Sequence, residues 1–342
     1  MRLTELVVEN FRAIESETFR ALPPIAGIWG PNGCGKSAVL QSIVALKNLC
    51  KVGYGPDSNP AFNSDGLSLG TWDTVFFRGR TPGKRLRIEA KGDGGVRLAS
   101  FSLTDLDVEF DKPSDSYFQS VRYFPTRRAL TERSHPLGEY PSDGLGLNPD
   151  LMHSYLHWFL HDKMYERQRT GKPNEVDDVN RWMEEFGLGA LSDRPSPGPP
   201  VQSTGMFTDK TTNYGAPLID GGFGGNSMLP ILLEAYSFKG GLLLIEEPEM
   251  SLHPGAQATL LDLFLEVART RGHQVLFTSH SEYLLRRVAR FHKENPTSTE
   301  IGGFEGRKDS KGAHFSPLSM DDLLKRWEGK HQDLLLGLHE RP

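Results

Sequence analysis

The segment GPNGCGKS, Gly30 to Ser37, constrains this chain more than any other. It fits G-x-x-x-x-G-K-[ST] and follows a short apolar run, Ile25 to Trp29. After it, Ser37 to Leu49 reads as a helix, because Val39, Leu40, Ile43, Val44 and Leu46 fall close to helical spacing. A strand, a glycine-rich turn and a helix in that order aim successive backbone N–H groups at one point. Gly33 and Gly35 permit the turns, and the helix beginning near Lys36 adds the positive end of its dipole. Such a cradle binds an anion. Lys36 is placed to reach the outer phosphates of a bound nucleotide, and the Ser37 hydroxyl to bind magnesium. The expected nucleotide contacts are Gly30, Asn32, Gly33, Cys34, Gly35, Lys36 and Ser37.

A second stretch, LLLIEEPEMSLHP, sets four aliphatic residues against three glutamates. A carboxylate at the end of a buried strand is costly unless a cation or donors await it. The C-terminal edge of a parallel strand is also where ligands of open α/β sheets bind. Glu246 is expected in the magnesium shell, through water, and Glu247 is expected to orient or deprotonate an attacking water. Pro248 stops the strand, and Glu249 is expected to hydrogen-bond within the turn. The next strand closes with FTSHS, so His280 falls on the same rim, where it can bond a terminal phosphate or the attacking water. Ser281 suits a helix N-cap. GGFGGNSMLP, Gly221 to Pro230, reads as a helix entered through glycines, whose first amides can face a second phosphate.

Around these segments the chain alternates in character. Leu3 to Val8 suits an early strand. Arg85 to Ala90, Val96 to Leu103 and Val121 to Phe124 read as strands of a mostly antiparallel sheet. Leu151 to Leu191 is helical in period, and DRPSPGPPV, Asp193 to Val201, reads as a break that is neither helix nor central strand. One or two strands and the glycine-led helix follow. Then come strand Leu242 to Ile245, helix Gly255 to Thr270, strand Gln274 to Thr278 and helix Ser281 to Glu294. That alternation implies parallel strands with crossover helices. The tail from Glu300 reads as two short strands and one or two helices.

With 342 residues, core size is no limit. A net charge of -5 excludes a coat that is basic throughout, though not a local nucleic-acid face. Two cysteines, Cys34 and Cys50, exclude a disulfide framework and fit a reducing cytoplasm; neither is given a redox role. No apolar run approaches 18 residues and the N-terminus has no apolar signal core, so neither a membrane span nor export is expected.

Taken in order, these segments resemble an ABC-type, SMC-like P-loop ATPase, and more narrowly the ATPase domains of the OLD (overcoming lysogenization defect) family. VVENFRAIE with GIWGPNGCGKSAVLQSI is similar to that family's first strand and Walker A, LLLIEEPEMSLHP to its Walker B and D-loop, and FTSHS to its switch histidine. VRYFPTRR is similar to a segment preceding its helical insertion. The resemblance covers about residues 1–49, 119–128 and 215–290. It implies an α/β P-loop NTPase of ABC-ATPase type with an antiparallel β lobe and an inserted helical segment. Residues 1–147 would carry Walker A and the β lobe, 148–197 the insertion, and 198–342 the signature-like helix, Walker B, D-loop and switch histidine. It further implies ATP and Mg2+ as ligands, hydrolysis to ADP and phosphate, and two copies closing head to tail around two ATP molecules. Asn226 and Ser227, where the family's signature usually has Ser then Gln, and the D-loop residues Ser251 and His253 would then act in trans. A separate effector, such as a nuclease, and a role in anti-phage defence or nucleic-acid metabolism are implied as well. About 50 residues follow the last core helix, too few for the TOPRIM nuclease domain of the family's DNA-cleaving members.

Two other functions compete: a nucleotide-gated scaffold with negligible hydrolysis, and a nuclease using Glu246, Glu247 and Glu249 directly. A GTPase lacks support because no N-K-x-D segment occurs, and a transporter ATPase because no LSGGQ does. His153, His157 and His161 share a helix face and read as a polar or partner-facing side rather than a zinc site. Arg127, Arg128 and Arg133, and Arg286, Arg287 and Arg290, form small basic groups, of which Arg127 or Arg128 could serve phosphate or partner recognition. Arg78, Arg80, Lys84, Arg85 and Arg87 form the densest basic stretch and the leading candidate for a nucleic-acid face.

Overall fold

A computed structural model describes residues 1–52, 59–64, 67–79, 83–104, 107–112, 115–126, 128, 135–136, 162–196, 202–209, 212, 214–217, 220 and 222–319. At its centre is a six-stranded sheet. Its strands are β3 (Ile25–Trp29), β7 (Val121–Phe124), β12 (Leu242–Glu246), β13 (Gln274–Ser279), β14 (Ile301–Asp309) and β15 (Gly312–Pro317). Their spatial order is β15-β14-β3-β13-β12-β7, parallel throughout except for the β14–β15 hairpin.

The continuous apolar runs of β3, β12 and β13 follow from burial on both faces. Alternate side chains enter two cores. Leu243, Ile245, Val275 and Phe277 point to one, closed by helices α2 (Glu175–Glu185), α3 (Phe223–Ser237), α4 (Pro254–Arg271) and α5 (Glu282–Glu294). Leu242, Leu244, Ala26 and Ile28 point to the other, filled by α1 (Lys36–Val52). Beyond α1 lies a five-stranded antiparallel sheet of order β2-β1-β4-β5-β6. Its strands are β1 (Leu3–Phe11), β2 (Ile14–Arg20), β4 (Leu86–Gly92), β5 (Arg97–Leu103) and β6 (Val108–Asp111). Lying between two sheets, α1 is apolar nearly all round, with Val39, Leu40, Ile43, Val44, Leu46 and Leu49 at most 1 % exposed.

Three sequence expectations change. Val121–Phe124 does not join the antiparallel sheet; it runs parallel to β12 at the edge of the central one, with Val121 beside Leu242. Val121, Tyr123 and Phe124 are all buried, a continuous burial that an alternating half-exposed strand would lack. The helical stretch stops earlier than Leu191. Residues 162–170 and α2 are helical, Gly187 turns the chain at φ 70°, and β9 (Ala190–Ser196) follows. Asp193 to Ser196 is therefore strand, not break. Among the described residues it pairs only with β10 (Gln202–Asp209), which also meets β8 (His135–Pro136) and β11 (Tyr214–Pro217), and such an edge accommodates Pro195.

Within the basic stretch Arg85 and Arg87 are paired with acids, while Lys84 and Arg78 bond main-chain carbonyls. Arg87 pairs with Glu9 and Glu89, and Arg85 with Glu109. Lys84 bonds the Phe77 carbonyl, and Arg97 joins Glu89 and Asp111. Arg80, Arg127, Arg133 and the three histidines at 153, 157 and 161 lie outside the described residues. No helix among those described is long and apolar enough to cross a membrane.

Candidate nucleotide site

The strand order places β13 between β3 and β12, so three motifs end on one rim: Gly30 after β3, Glu246 at the end of β12 with Glu247 just after it, and His280 after β13. Two glycines shape the loop. Gly30 has φ 151°, and a Cβ there would lie 2.4 Å from the Gly306 carbonyl oxygen of β14. Gly35 has φ 90°, and a Cβ there would lie 2.7 Å from the Ala313 Cβ of β15. The edge hairpin thus presses on the loop from behind, and only glycine fits. Cys34 is buried within it, while Asn32 and Gly33 are exposed.

The loop borders a cleft of about 530 Å³ whose walls include Arg12, Asn32, Lys36, Ser37, Glu247 and His280. Lys36 Nζ donates to the carbonyls of Gly30 at 2.9 Å and Pro31 at 3.0 Å, and lies 2.9 Å from His280 Nε2. Burial pulls the Lys36 amine below its ordinary pKa, against the opposing pull of nearby acidic groups including Glu247. Glu247 Oε1 is 3.8 Å from His280 Nε2. Glu247 itself has φ 44°, the left-handed region, which costs a non-glycine residue on the order of 1–3 kcal/mol. Its backbone is fixed by a bond from Glu247 N to the Thr278 carbonyl at 3.0 Å.

Glu246 lies behind this group and is only 6 % exposed. Its Oε1 accepts from Tyr123 Oη at 2.7 Å and Gln41 Nε2 at 3.1 Å, and its Oε2 from Thr126 Oγ1 at 3.0 Å. Burial and the neighbouring Glu246 charge push the Tyr123 phenol far above its usual range, so it stays a donor. Neutral donors thus hold the charged carboxylate. Among the described residues no three His, Cys, Asp or Glu side chains converge to hold a metal. Ser37 on the cleft wall, with Glu246 behind it, fits an ion that takes its other ligands from phosphate and water.

Arg128, 1 % exposed, is the largest fully buried side chain among the described residues. It donates to the carbonyls of Pro125 at 3.0 Å, Ser227 at 2.9 Å, Glu246 at 2.7 Å and Glu247 at 2.9 Å. Burial lowers its pKa to about 10, opposed by the charges of Glu249, Glu246 and Glu247. It therefore secures the β12 end instead of meeting a phosphate or a partner. Arg12, Gln41, Tyr123 and Thr126 were not singled out as site residues. Arg12 lies within VVENFRAIE, and its φ of 53° and guanidinium bond to Gln41 become visible only in the fold.

The signature-like helix begins earlier than the glycines suggest. Gly222 caps α3, so Gly224 and Gly225 are helical and Asn226 and Ser227 sit in its second turn, both buried. Ser227 Oγ donates to the carbonyls of Gly224 at 3.0 Å and Met250 at 3.4 Å. Neither residue is an exposed cap. The helix start lies instead against the turn after β12: a Cβ on Gly224 would come within 2.7 Å of the Ser251 carbonyl oxygen. Ser251 (φ 62°) and His253 are exposed, and His253 Nδ1 caps α4 by accepting from Gly255 N at 3.2 Å.

Two family descriptions match parts of the chain: "AAA domain" over residues 5–115 and "AAA ATPase domain" over residues 162–285. Among solved structures, the SMC head domain from Thermotoga maritima is 11% identical with a TM-score of 0.50, covering 93% of this chain and 100% of that one. The SMC head bound to the C-terminal winged-helix domain of ScpA is 12% identical with a TM-score of 0.58, at 95% and 100% coverage. The SMC head with an extended coiled coil, bound to the C-terminal domain of ScpA derived from Pyrococcus furiosus, is 10% identical with a TM-score of 0.56, at 96% and 98%. The chain has the fold of an SMC-type P-loop ATPase head. No curated protein matches the sequence.

Proposed function

We propose that this P-loop head binds ATP with Mg2+ and hydrolyses it to ADP and phosphate. The meeting of Lys36, Glu247 and His280, from three separate elements, over an open glycine-shaped loop carries the proposal. On binding, Lys36 exchanges the Gly30 and Pro31 carbonyls for phosphate oxygens and neutralises charge there. Glu247 takes the proton of the water attacking the γ-phosphate in line, and His280 holds that phosphate or the water. Ser37, and Glu246 through water, would hold magnesium, which neutralises phosphate charge when bound. The measurement is phosphate release by wild type and Glu247→Gln. A rate for wild type at least about 100-fold above Glu247→Gln is expected. Equal rates near background would instead leave a nucleotide-gated scaffold.

Two copies closing around ATP, with the α3 start and the Ser251–His253 turn of one facing the nucleotide of the other, is what the resemblance to SMC-like ATPases implies; the contact between the α3 start and the turn with exposed Ser251 and His253 supports it. Because Asn226 and Ser227 are buried, the groups offered in trans are the first amides of α3 rather than these side chains. Control of a separate effector, cytoplasmic location and a role in anti-phage defence or nucleic-acid metabolism extend this proposal by resemblance to the OLD family. Solved SMC heads held by ScpA support a partner of some kind. The nuclease alternative loses ground because the three glutamates face different surroundings: the cleft, the Tyr123–Gln41–Thr126 donors, and the turn after β13.

A further inference from the structure

Glu249 has no part in the chemistry above, yet it is a charged side chain only 8 % exposed. Its Oε1 accepts three hydrogen bonds: from Ser279 Oγ at 2.8 Å, His280 N at 2.6 Å and Ser281 N at 3.1 Å. Its Oε2 is buried with no hydrogen-bond partner among the described residues. A carboxylate knitting the fold in general would use both oxygens; this one directs every bond to the single turn that carries His280. That turn is further tied by Ser281 N to Ser279 Oγ at 2.9 Å and by Ser281 Oγ capping α5 at Leu284 N, 3.1 Å. On its own side, Glu249 lies between two residues in the left-handed region, Glu247 and Ser251. Its carbonyl accepts from Leu252 N at 3.0 Å, and Met250 N donates to the Glu247 carbonyl at 3.1 Å. The turn that shapes Glu247 and reaches the surface at Ser251 is therefore bonded directly to the main chain of the histidine touching Lys36.

We propose that Glu249 is a positioning residue: its carboxylate fixes the backbone of His280 and so couples the Glu247–His253 turn to the placement of the imidazole beside Lys36. Three bonds to one charged acceptor leave the turn little freedom to rotate. A shift of the turn on either side is transmitted through a single atom. Displacement of the surface end at Ser251 would be read at the phosphate by His280.

The test uses the full chain with Glu249→Ala, His280→Ala and the double variant, each checked for a cooperative thermal transition. The kinetic arm depends on the ATPase assignment above; the spectroscopic arm does not. In protein labelled with 15N-histidine, the imidazole resonance missing from His280→Ala is that of His280. Glu249→Ala is expected to shift it and leave the His273 signal in place. In turnover, Glu249→Ala is expected to lower kcat about 100-fold with KM for ATP unchanged, the scale of a misplaced reacting group. In the His280→Ala background it is expected to add no further loss. Glu249→Gln, which keeps an oxygen acceptor, is expected to recover most of the loss. An unmoved His280 resonance, or losses that multiply in the double variant, would overturn the proposal. If wild type shows no turnover, the ATPase assignment fails while the resonance still decides on Glu249. If Glu249→Ala does not fold, Ser279→Ala replaces it, removing one of the three donors; the same resonance must move.

Discussion

Arg128 donates to four carbonyls with one side chain, joining the Pro125 turn, α3 and the end of β12. Hydrogen bonds from a charged group contribute about 1.5–3 kcal/mol each, so losing four of them in Arg128→Met is expected to destabilise by at least about 3 kcal/mol even after relaxation. Arg290→Met, removing a half-exposed partner of Glu294, is expected to cost under about 1 kcal/mol. Denaturant midpoints compare the two. In sequence both are arginines in small basic groups, and nothing local tells the buried one from the exposed one. The glycines are the opposite case. GPNGCGKS announces Gly30, but the reason it must be glycine is the Gly306 carbonyl, which comes from β14. Gly30→Ala is expected to abolish ATP binding measured by calorimetry while leaving the helical circular-dichroism signal, since the clash is confined to the loop and the β14 backbone behind it. The acids were legible by position, at the end of an apolar strand. Their division of labour was not, because it depends on Tyr123, Thr126 and Ser279, which reach them only through the fold.

Elements whose burial is uniform were the easiest to read. β3 matches its apolar run from Ile25 to Trp29, and β12 and β13 match theirs to within a residue. β7 and β9 were misassigned because short strands carry little periodicity, and partners far along the chain settle which sheet they join. Helix docking shows a similar dependence. Glu266 on α4 accepts from Tyr236 Oη of α3 at 2.5 Å and from Trp182 Nε1 of α2 at 3.2 Å, and pairs with Arg181. Burial alone would raise its carboxyl, but these bonds outweigh it and hold the pKa below the ordinary value. A depressed folded pKa means a contribution present above the unfolded carboxyl value and lost as pH falls through the folded one. Glu266→Gln is therefore expected to lose stability near neutral pH and to show a flatter acid limb. Melting temperatures from neutral pH down to about pH 3 check this, and a limb parallel to wild type would refute it.

At the scale of the whole molecule, the antiparallel sheet, α1 and the central sheet form a stack whose exposed rim carries the cleft, the start of α3 and the Ser251 turn. If ATP favours a closed pair, Glu247→Gln with ATP and magnesium is expected to run as a dimer in light scattering, and Lys36→Ala as it does without nucleotide. An unchanged mass in the first case would exclude the closed pair. The central sheet also fixes an order of events. β3, which ends at the phosphate loop, is hydrogen-bonded to β13 on one side and β14 on the other, and both lie in the last quarter of the chain. During synthesis the loop sequence is made early, yet its strand has two open edges until those late segments arrive. The nucleotide site is thus among the last parts to be completed, and a chain cut short before Gln274 carries the loop sequence without the strand pairing that shapes it.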